Sequence, residues 1–187
     1  MASLTINRYF EKIWKENYKF YRLFYNLLAL LTLLFPLHYS RHFNSPLLFS
    51  WQSYFILIQT SLLFLAILLF YLGAKQYDIK QFLGLRQLKS GNSHFVLSKE
   101  GGVHVSGILS LTRHPWYLAS LILIWSYSTE VHLATLITNV ILTFYLYIGA
   151  TLEERKILFE FGEEYQNYQQ KVSMLLPLKW VTSKLKF

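Results

Sequence analysis

Apolar residues in this chain gather into long uncharged runs separated by short polar links. A bilayer core about 30 Å thick takes roughly 20 helical residues at about 1.5 Å each, so each run is a candidate crossing. The first is predicted from about Phe20 to Tyr39, around the uncharged core Leu27 to Phe35, with Pro36 near its far end, where a proline costs little. A polar link, Ser40 to Ser50, contains Pro46 and leads to a second run from about Trp51 to Ala74. Trp51, Tyr54, Tyr71 and Tyr77 lie toward its ends, as aromatic belt residues do. Lys75 to Glu100 is polar and predicts a connector outside the membrane, with a short interfacial helix or hairpin near Gln81 to Leu88. The third and fourth runs, Pro115 to about Ser128 and about His132 to Leu152, are joined by so brief a turn that they should be antiparallel neighbours. The third is short for a crossing unless Val103 to Leu111 also enters the membrane. Beyond it, Ile157, Leu158, Phe161, Tyr165 and Tyr168 recur at helical spacing among charges and predict an amphipathic helix against the membrane surface or the connector. Met174 to Pro177 makes a second apolar contact, followed by a basic tail of Lys179, Lys184 and Lys186. The predicted fold class is therefore all-α: a polytopic transmembrane helical protein with about four spans and a cytoplasmic C-terminal amphipathic helix, residues 1–187 forming a single membrane domain.

Composition supports this pattern. Of 187 residues, 53% are hydrophobic and only 15% charged, against about a quarter charged in soluble domains. The net charge of +8 sits between apolar runs and not on one basic face, which points to anionic lipid headgroups and argues against nucleic acid. Lys and Arg are dense in the N-terminal flank, sparse after the first run, dense in the connector, absent from the turn near Glu130 and dense again at the C-terminus. That alternation predicts an even number of crossings, with both termini and the connector in the cytoplasm. Met1 to Lys19 is amphipathic and lacks the layout of a cleaved signal peptide, so the first apolar run is expected to stay as an anchor. Without cysteine there is no disulfide, thiolate metal site or cysteine nucleophile. His38, His42, His94, His104 and His132 show no metal-ligand spacing, and no metal is expected. The stripe Tyr145, Tyr147, Phe159 and Phe161 reads as packing.

Ionisable groups at membrane depth are costly, which makes them functional candidates. Two clusters qualify: Arg113-His114-Pro115-Trp116-Tyr117 at the start of the third run, and Glu153-Glu154-Arg155 at the end of the fourth. Taken singly, each has a plain alternative as flanking charge, and Pro115 suits the first turn of a helix. The antiparallel hairpin changes that balance, because it returns both clusters to one membrane face.

The stretch Ser106 to Tyr117 resembles the Gly-x-Tyr-x-x-x-Arg-His-Pro-x-Tyr signature of isoprenylcysteine carboxyl methyltransferases and their prokaryotic relatives, among them phospholipid N-methyltransferases and small-thiol S-methyltransferases. Leu152-Glu153-Glu154-Arg155, Phe161-Gly162-Glu163-Glu164-Tyr165-Gln166-Asn167-Tyr168 and Val172 to Pro177 resemble that family's following elements in order and spacing. The resemblance covers roughly Ser98 to Pro177. Leu109 replaces the family's tyrosine, and Ala119 stands where glycine is frequent.

The resemblance implies an S-adenosylmethionine-dependent integral membrane methyltransferase. In it, residues 1–97 would be anchor helices and connector, and residues 98–187 the cofactor-binding catalytic region. Arg113, His114 and Glu153 would be catalytic. Gly107, Arg113, His114, Tyr117, Glu153 and Glu154 would line the donor site, with the Arg113 fork on the donor's carboxylate and a glutamate on its amine. Gly107 would allow close backbone approach. The partners implied are membrane lipids and a lipophilic or small acceptor: a prenylated cysteine carboxylate, a lipid amine or a thiol. Two alternatives stand beside this reading: a non-catalytic membrane protein assisting a respiratory enzyme, and a membrane reductase using a nicotinamide cofactor. Intact Arg113-His114-Pro115 and Glu153-Glu154 argue against the first alternative. The short chain without a dinucleotide fingerprint argues against the second.

Overall fold

The computed structural model describes residues 21–77, 103 and 105–185. The N-terminal amphipathic stretch and the interfacial element expected near Gln81 to Leu88 lie outside the described residues. Helix α1 spans Tyr21–His42 and α2 Phe55–Gln76, with strand β1, Leu47–Ser50, between them. After one 3-10 turn at Gly107–Ser110 come α3 (Pro115–Ser126), strand β2 (Glu130–His132), α4 (Leu133–Phe161), α5 (Glu163–Lys171) and α6 (Leu178–Leu185).

Among the described residues, two helices are long and apolar enough to cross a membrane: α2 and α4. Their large apolar side chains face outward. Phe64 is 68% exposed, Ile67 65%, Ile141 62% and Phe144 64%. Exposed patches on that scale are unfavourable in water and are matched by lipid. These helices fit a membrane protein.

Helix α3 is shorter than a crossing. Its 12 residues reach about 18 Å at about 1.5 Å each. Residues 105–111 do not extend it as α-helix. Gly107 turns with φ +55°, and Ile108 and Leu109 fold back into a core with Leu69, Leu118 and Ala119. Pro115 then occupies the first turn of α3, where its missing N–H leaves no helical hydrogen bond unmade. Small residues bring α2 and α3 together. A Cβ on Gly73 would lie 2.5 Å from Cδ1 of Trp116, and the Trp116 indole N–H donates to Phe70 O at 3.1 Å. At the other end of α3, the buried Gln59 amide of α2 donates to Ser126 O at 2.8 Å. Trp125 Nε1 donates to Thr143 Oγ1 of α4 at 3.0 Å, and Arg113, just before α3, meets Glu154 near the far end of α4. The two helices are antiparallel neighbours, as the short connection requires.

Three features depart from the sequence expectations. First, the links around Pro46 and Glu130 are not plain turns. β1 and β2 pair antiparallel, Leu47 opposite His132 and Ser50 opposite Glu130, so the mostly helical fold also carries one short strand pair. Two links emerging at one end of a helix bundle satisfy their backbone groups by pairing. Second, the fourth run continues well past Leu152, because Glu153 to Lys156 are good helix formers that carry α4 beyond its apolar stretch. The amphipathic helix expected from Ile157 to Tyr168 is therefore split at Gly162, whose φ of +52° ends α4, and α5 begins with Glu163 and Glu164 in its first turn, where acids suit the helix dipole. Third, of the stripe read as packing, Phe161 packs against Tyr165, Tyr168 and Val172, whereas Tyr145, Tyr147 and Phe159 are 62%, 53% and 85% exposed and face outward.

Candidate active site

The site forms where the start of α3, the end of α4 and the segment after α5 meet. Thr112 and Ser173 form an isolated parallel bridge. The backbone N–H groups of Arg113 and His114 donate to Ser173 O at 3.0 Å and Met174 O at 3.1 Å. The buried Thr112 hydroxyl also donates to Met174 O, at 3.0 Å. Chain segments some sixty positions apart are thereby stitched by main-chain hydrogen bonds, which fixes the direction in which Arg113 and His114 leave the backbone.

Both side chains converge on Glu154. Arg113 Nε donates to Glu154 Oε1 at 2.6 Å, with side-chain exposures of only 8% and 11%. His114 Nε2 lies 3.2 Å from the same oxygen. A carboxylate only accepts, so His114 carries a proton on Nε2. Gln169 Nε2 donates to the second oxygen, Oε2, at 3.0 Å, and the Tyr165 hydroxyl lies 3.4 Å from Oε1. Arg113 Nη1 in turn donates to Gln169 O at 3.1 Å and to Val172 O. Each member of this buried network has a partner, the condition under which a buried ion pair is tolerable.

A second layer carries tyrosines. The Tyr168 hydroxyl donates to Leu109 O at 2.6 Å. The position where the resembled family has tyrosine thus contributes a buried leucine side chain and a carbonyl that a different tyrosine holds. Burial pushes the Tyr165 and Tyr168 phenols well above the ordinary tyrosine range, reinforced at Tyr165 by the Glu154 charge. Both remain hydrogen-bond donors. Tyr77, just after α2, is shifted upward for the same reason, with a smaller contribution from Glu153. Its hydroxyl is 3.4 Å from Arg113 O, and its ring meets Trp116 edge-on at 4.9 Å.

The predicted site residues divide into groups. Arg113, His114 and Glu154 come together directly, and Tyr117 stands edge-on to the His114 ring at 5.4 Å. Glu153 points to another side of α4. It is half-buried and has no hydrogen-bond partner among the described residues, and its charge acts on Tyr77. Gly107 lies against α2, where a Cβ would come within 2.6 Å of the Gln76 amide nitrogen, a close approach that only glycine allows with φ positive. Gln169, Tyr165 and Tyr168 were not among the predicted site residues. Their signal was present: 165, 168, 169 and 172 share one face at i, i+3, i+4 and i+7.

Along α3 and away from this network runs an open apolar groove of about 630 Å³. It is lined by Leu118, Leu121, Ile122 and Trp125 of α3, Leu62 of α2 and Met174 of the stitched segment. Met174 is shared by both features, since its carbonyl accepts from His114 N.

Residues 5–172 match the family described as "Protein of unknown function (DUF1295)". The chain belongs to the DUF1295 family. Among curated proteins, this DUF1295 member is 36% identical over 78 residues to a methanethiol S-methyltransferase of Pseudomonas deceptionensis, covering 42% of this chain and 29% of that protein. It is 36% identical over 70 residues to methanethiol S-methyltransferase 1 of Bradyrhizobium diazoefficiens, covering 37% and 24%. It is 32% identical over 93 residues to the protein-S-isoprenylcysteine O-methyltransferase of Schizosaccharomyces pombe, covering 46% and 39%. These names agree with the family resemblance carried by the motifs. The DUF1295 chain spans less than a third of the length of the methanethiol relatives it matches. No solved structure matches it significantly.

Proposed function

We propose that this protein is an integral membrane methyltransferase that uses S-adenosylmethionine and methylates a lipophilic or small acceptor at the membrane rim. One observation carries the reading: three motif blocks distant in sequence, around Arg113-His114, Glu154 and Tyr165 to Met174, close into a single buried network. Methyltransferase relatives that match part of the chain support it.

The residues fit the donor in a particular way. Arg113 Nε and Nη1 are committed to Glu154, Gln169 and Val172, so the arginine acts mainly by holding the walls of the site. Glu153, half-buried and without a partner among the described residues, is the carboxylate free to take an ammonium group and to complement a sulfonium. Bound S-adenosylmethionine supplies an electrophilic methyl group. His114 Nδ1, fixed by the bond from Nε2 to Glu154, can orient an acceptor or take a proton from it, and the Tyr117 ring braces the imidazole. In-line transfer depends chiefly on orientation and exclusion of water, which this buried network supports.

For the acceptor, the apolar groove that begins at Met174 favours the lipophilic class. A small thiol remains the second reading, supported by the printed names of the methanethiol relatives. In the proposed topology α1 to α4 alternate across the bilayer, with α3 the shortest, and the site and both termini face the cytoplasm, as the Lys and Arg distribution predicts.

The test is calorimetric titration of detergent-solubilised protein with S-adenosylmethionine, followed by labelled methyl transfer into membrane lipids, thiols and prenylcysteine analogues. Micromolar binding is expected. Glu153→Gln should weaken it at least about tenfold, the loss of roughly one charge-assisted contact, without changing thermal stability. Folded protein that does not bind the donor refutes the enzyme reading.

A further inference from the structure

Helix α6 follows the site directly yet belongs to no core. Leu178, Val181 and Leu185 recur at i, i+3 and i+7, on one face of the helix. They are 63%, 40% and 73% exposed. Lys184 is exposed and makes no ion pair among the described residues. From Tyr165 to the end the sequence contains lysines and no acidic residue.

The helix is nevertheless fixed in place at its start. Lys179 N donates to Ser173 Oγ at 2.9 Å. Lys179 Nζ donates to Gln169 O at 2.6 Å and Gln170 O at 3.1 Å. Gln169 O is the carbonyl that also accepts from Arg113 Nη1, and Ser173 O is the one that accepts from Arg113 N. The orientation of α6 is therefore set by the site's own frame. Leu176 and Leu178 are exposed beside it and line the same groove as Tyr147 of α4, so the apolar face of α6 continues the outward apolar surface of a candidate membrane helix.

We propose that α6 is an interfacial docking element, seated on an anionic lipid surface with Leu178, Val181 and Leu185 in the acyl boundary and Lys184 at the acidic headgroups. The occupant is a lipid surface because the exposed face is continuous with lipid-facing α4. It is an anionic one because the flanking charges are all positive. Docking there holds Ser173 and Gln169, and through their carbonyls Arg113, at a set depth below the headgroups. The proposal rests on the reading that α2 and α4 cross the bilayer.

The absence of cysteine makes single-site labelling direct. Val181→Cys, Ser183→Cys and, as a membrane control on α4, Ile141→Cys would each be spin-labelled in full-length protein. The samples would be nanodiscs of phosphatidylcholine alone and of phosphatidylcholine with phosphatidylglycerol. The ratio of oxygen to water-soluble nickel accessibility is the readout. Positions 181 and 183 lie about 200° apart around the helix. In anionic discs the ratio should be about threefold higher at 181 than at 183, with 141 higher still. In neutral discs, or with Lys184→Glu, position 181 should approach the value at 183. Equal, water-like ratios at 181 and 183 with a lipid-like 141 would overturn the docking while leaving the membrane reading intact. Equal insertion in neutral and anionic discs would overturn the anionic preference. A water-like 141 would overturn the membrane reading, and the proposal with it.

Discussion

Removing the carboxylate of Glu154 isolates the central interaction of the site. Arg113 Nε and Glu154 Oε1 are 2.6 Å apart, and both side chains are about nine-tenths buried. Truncation to alanine leaves the guanidinium buried with two carbonyl partners, Gln169 O and Val172 O, and no neutralising charge. It also strips His114 Nε2 and the Gln169 amide of their acceptor. Breaking a buried pair from one side costs about 3–5 kcal/mol. For a chain of this size, about 2–4 °C per kcal/mol puts the drop in Tm at about 6–20 °C, measured by thermal unfolding in a single detergent. Glu154→Gln keeps an acceptor oxygen and should lose roughly 1.5–3 kcal/mol, the worth of hydrogen bonds to a charged group. The decisive form is a double-mutant cycle with Arg113→Met. If the pair is the hub, removing the arginine should make the loss of Glu154 much milder, with a coupling of at least about 1 kcal/mol. A coupling near zero, or a Glu154→Ala protein melting with the wild type, would refute the assignment of Glu154 as the organising group.

Other perturbations test the supporting contacts. Tyr168→Phe removes the donor to buried Leu109 O, 2.6 Å away, and should cost about 1–2 kcal/mol in unfolding free energy. Tyr165→Phe, whose hydroxyl is 3.4 Å from Glu154, should cost clearly less, and equal losses would contradict the geometry. Gly73→Ala places a Cβ 2.5 Å from the Trp116 ring; separating α2 from α3 should cost about 1–3 kcal/mol, and a stability unchanged from wild type would show that the two helices are not in close contact. Burial raises the Tyr165 and Tyr168 phenols above the unfolded value of about 10. Their contribution to stability is therefore complete below about pH 10 and is lost as pH rises toward their folded values. Ultraviolet titration of the folded protein should show that Tyr165→Phe and Tyr168→Phe leave the first phenolate step unchanged.

The chain's apolar runs were enough to place α2, α3 and the body of α4, because helix formation and lipid exposure both depend on local composition. The brevity of Ser126 to Val131 was enough to oppose Arg113-His114 to the acids at the end of α4. Local pattern did not decide where each helix stops. Glu153 to Lys156 favour helix as strongly as the apolar residues before them, so polarity alone misplaced the end of α4, which only the positive φ of Gly162 marks. Nor did sequence choose between adjacent glutamates. Glu153 and Glu154 lie about 100° apart around one helix, and the helix rotation set by packing sends Glu154 to Arg113 and His114 while leaving Glu153 outside that network. The strand pairing of Leu47 to Ser50 with Glu130 to His132, and the stitching of Thr112 to Ser173, are likewise matters of tertiary structure. Backbone groups find partners wherever the chain brings them together, and residues far apart in sequence carry no local signal of that meeting.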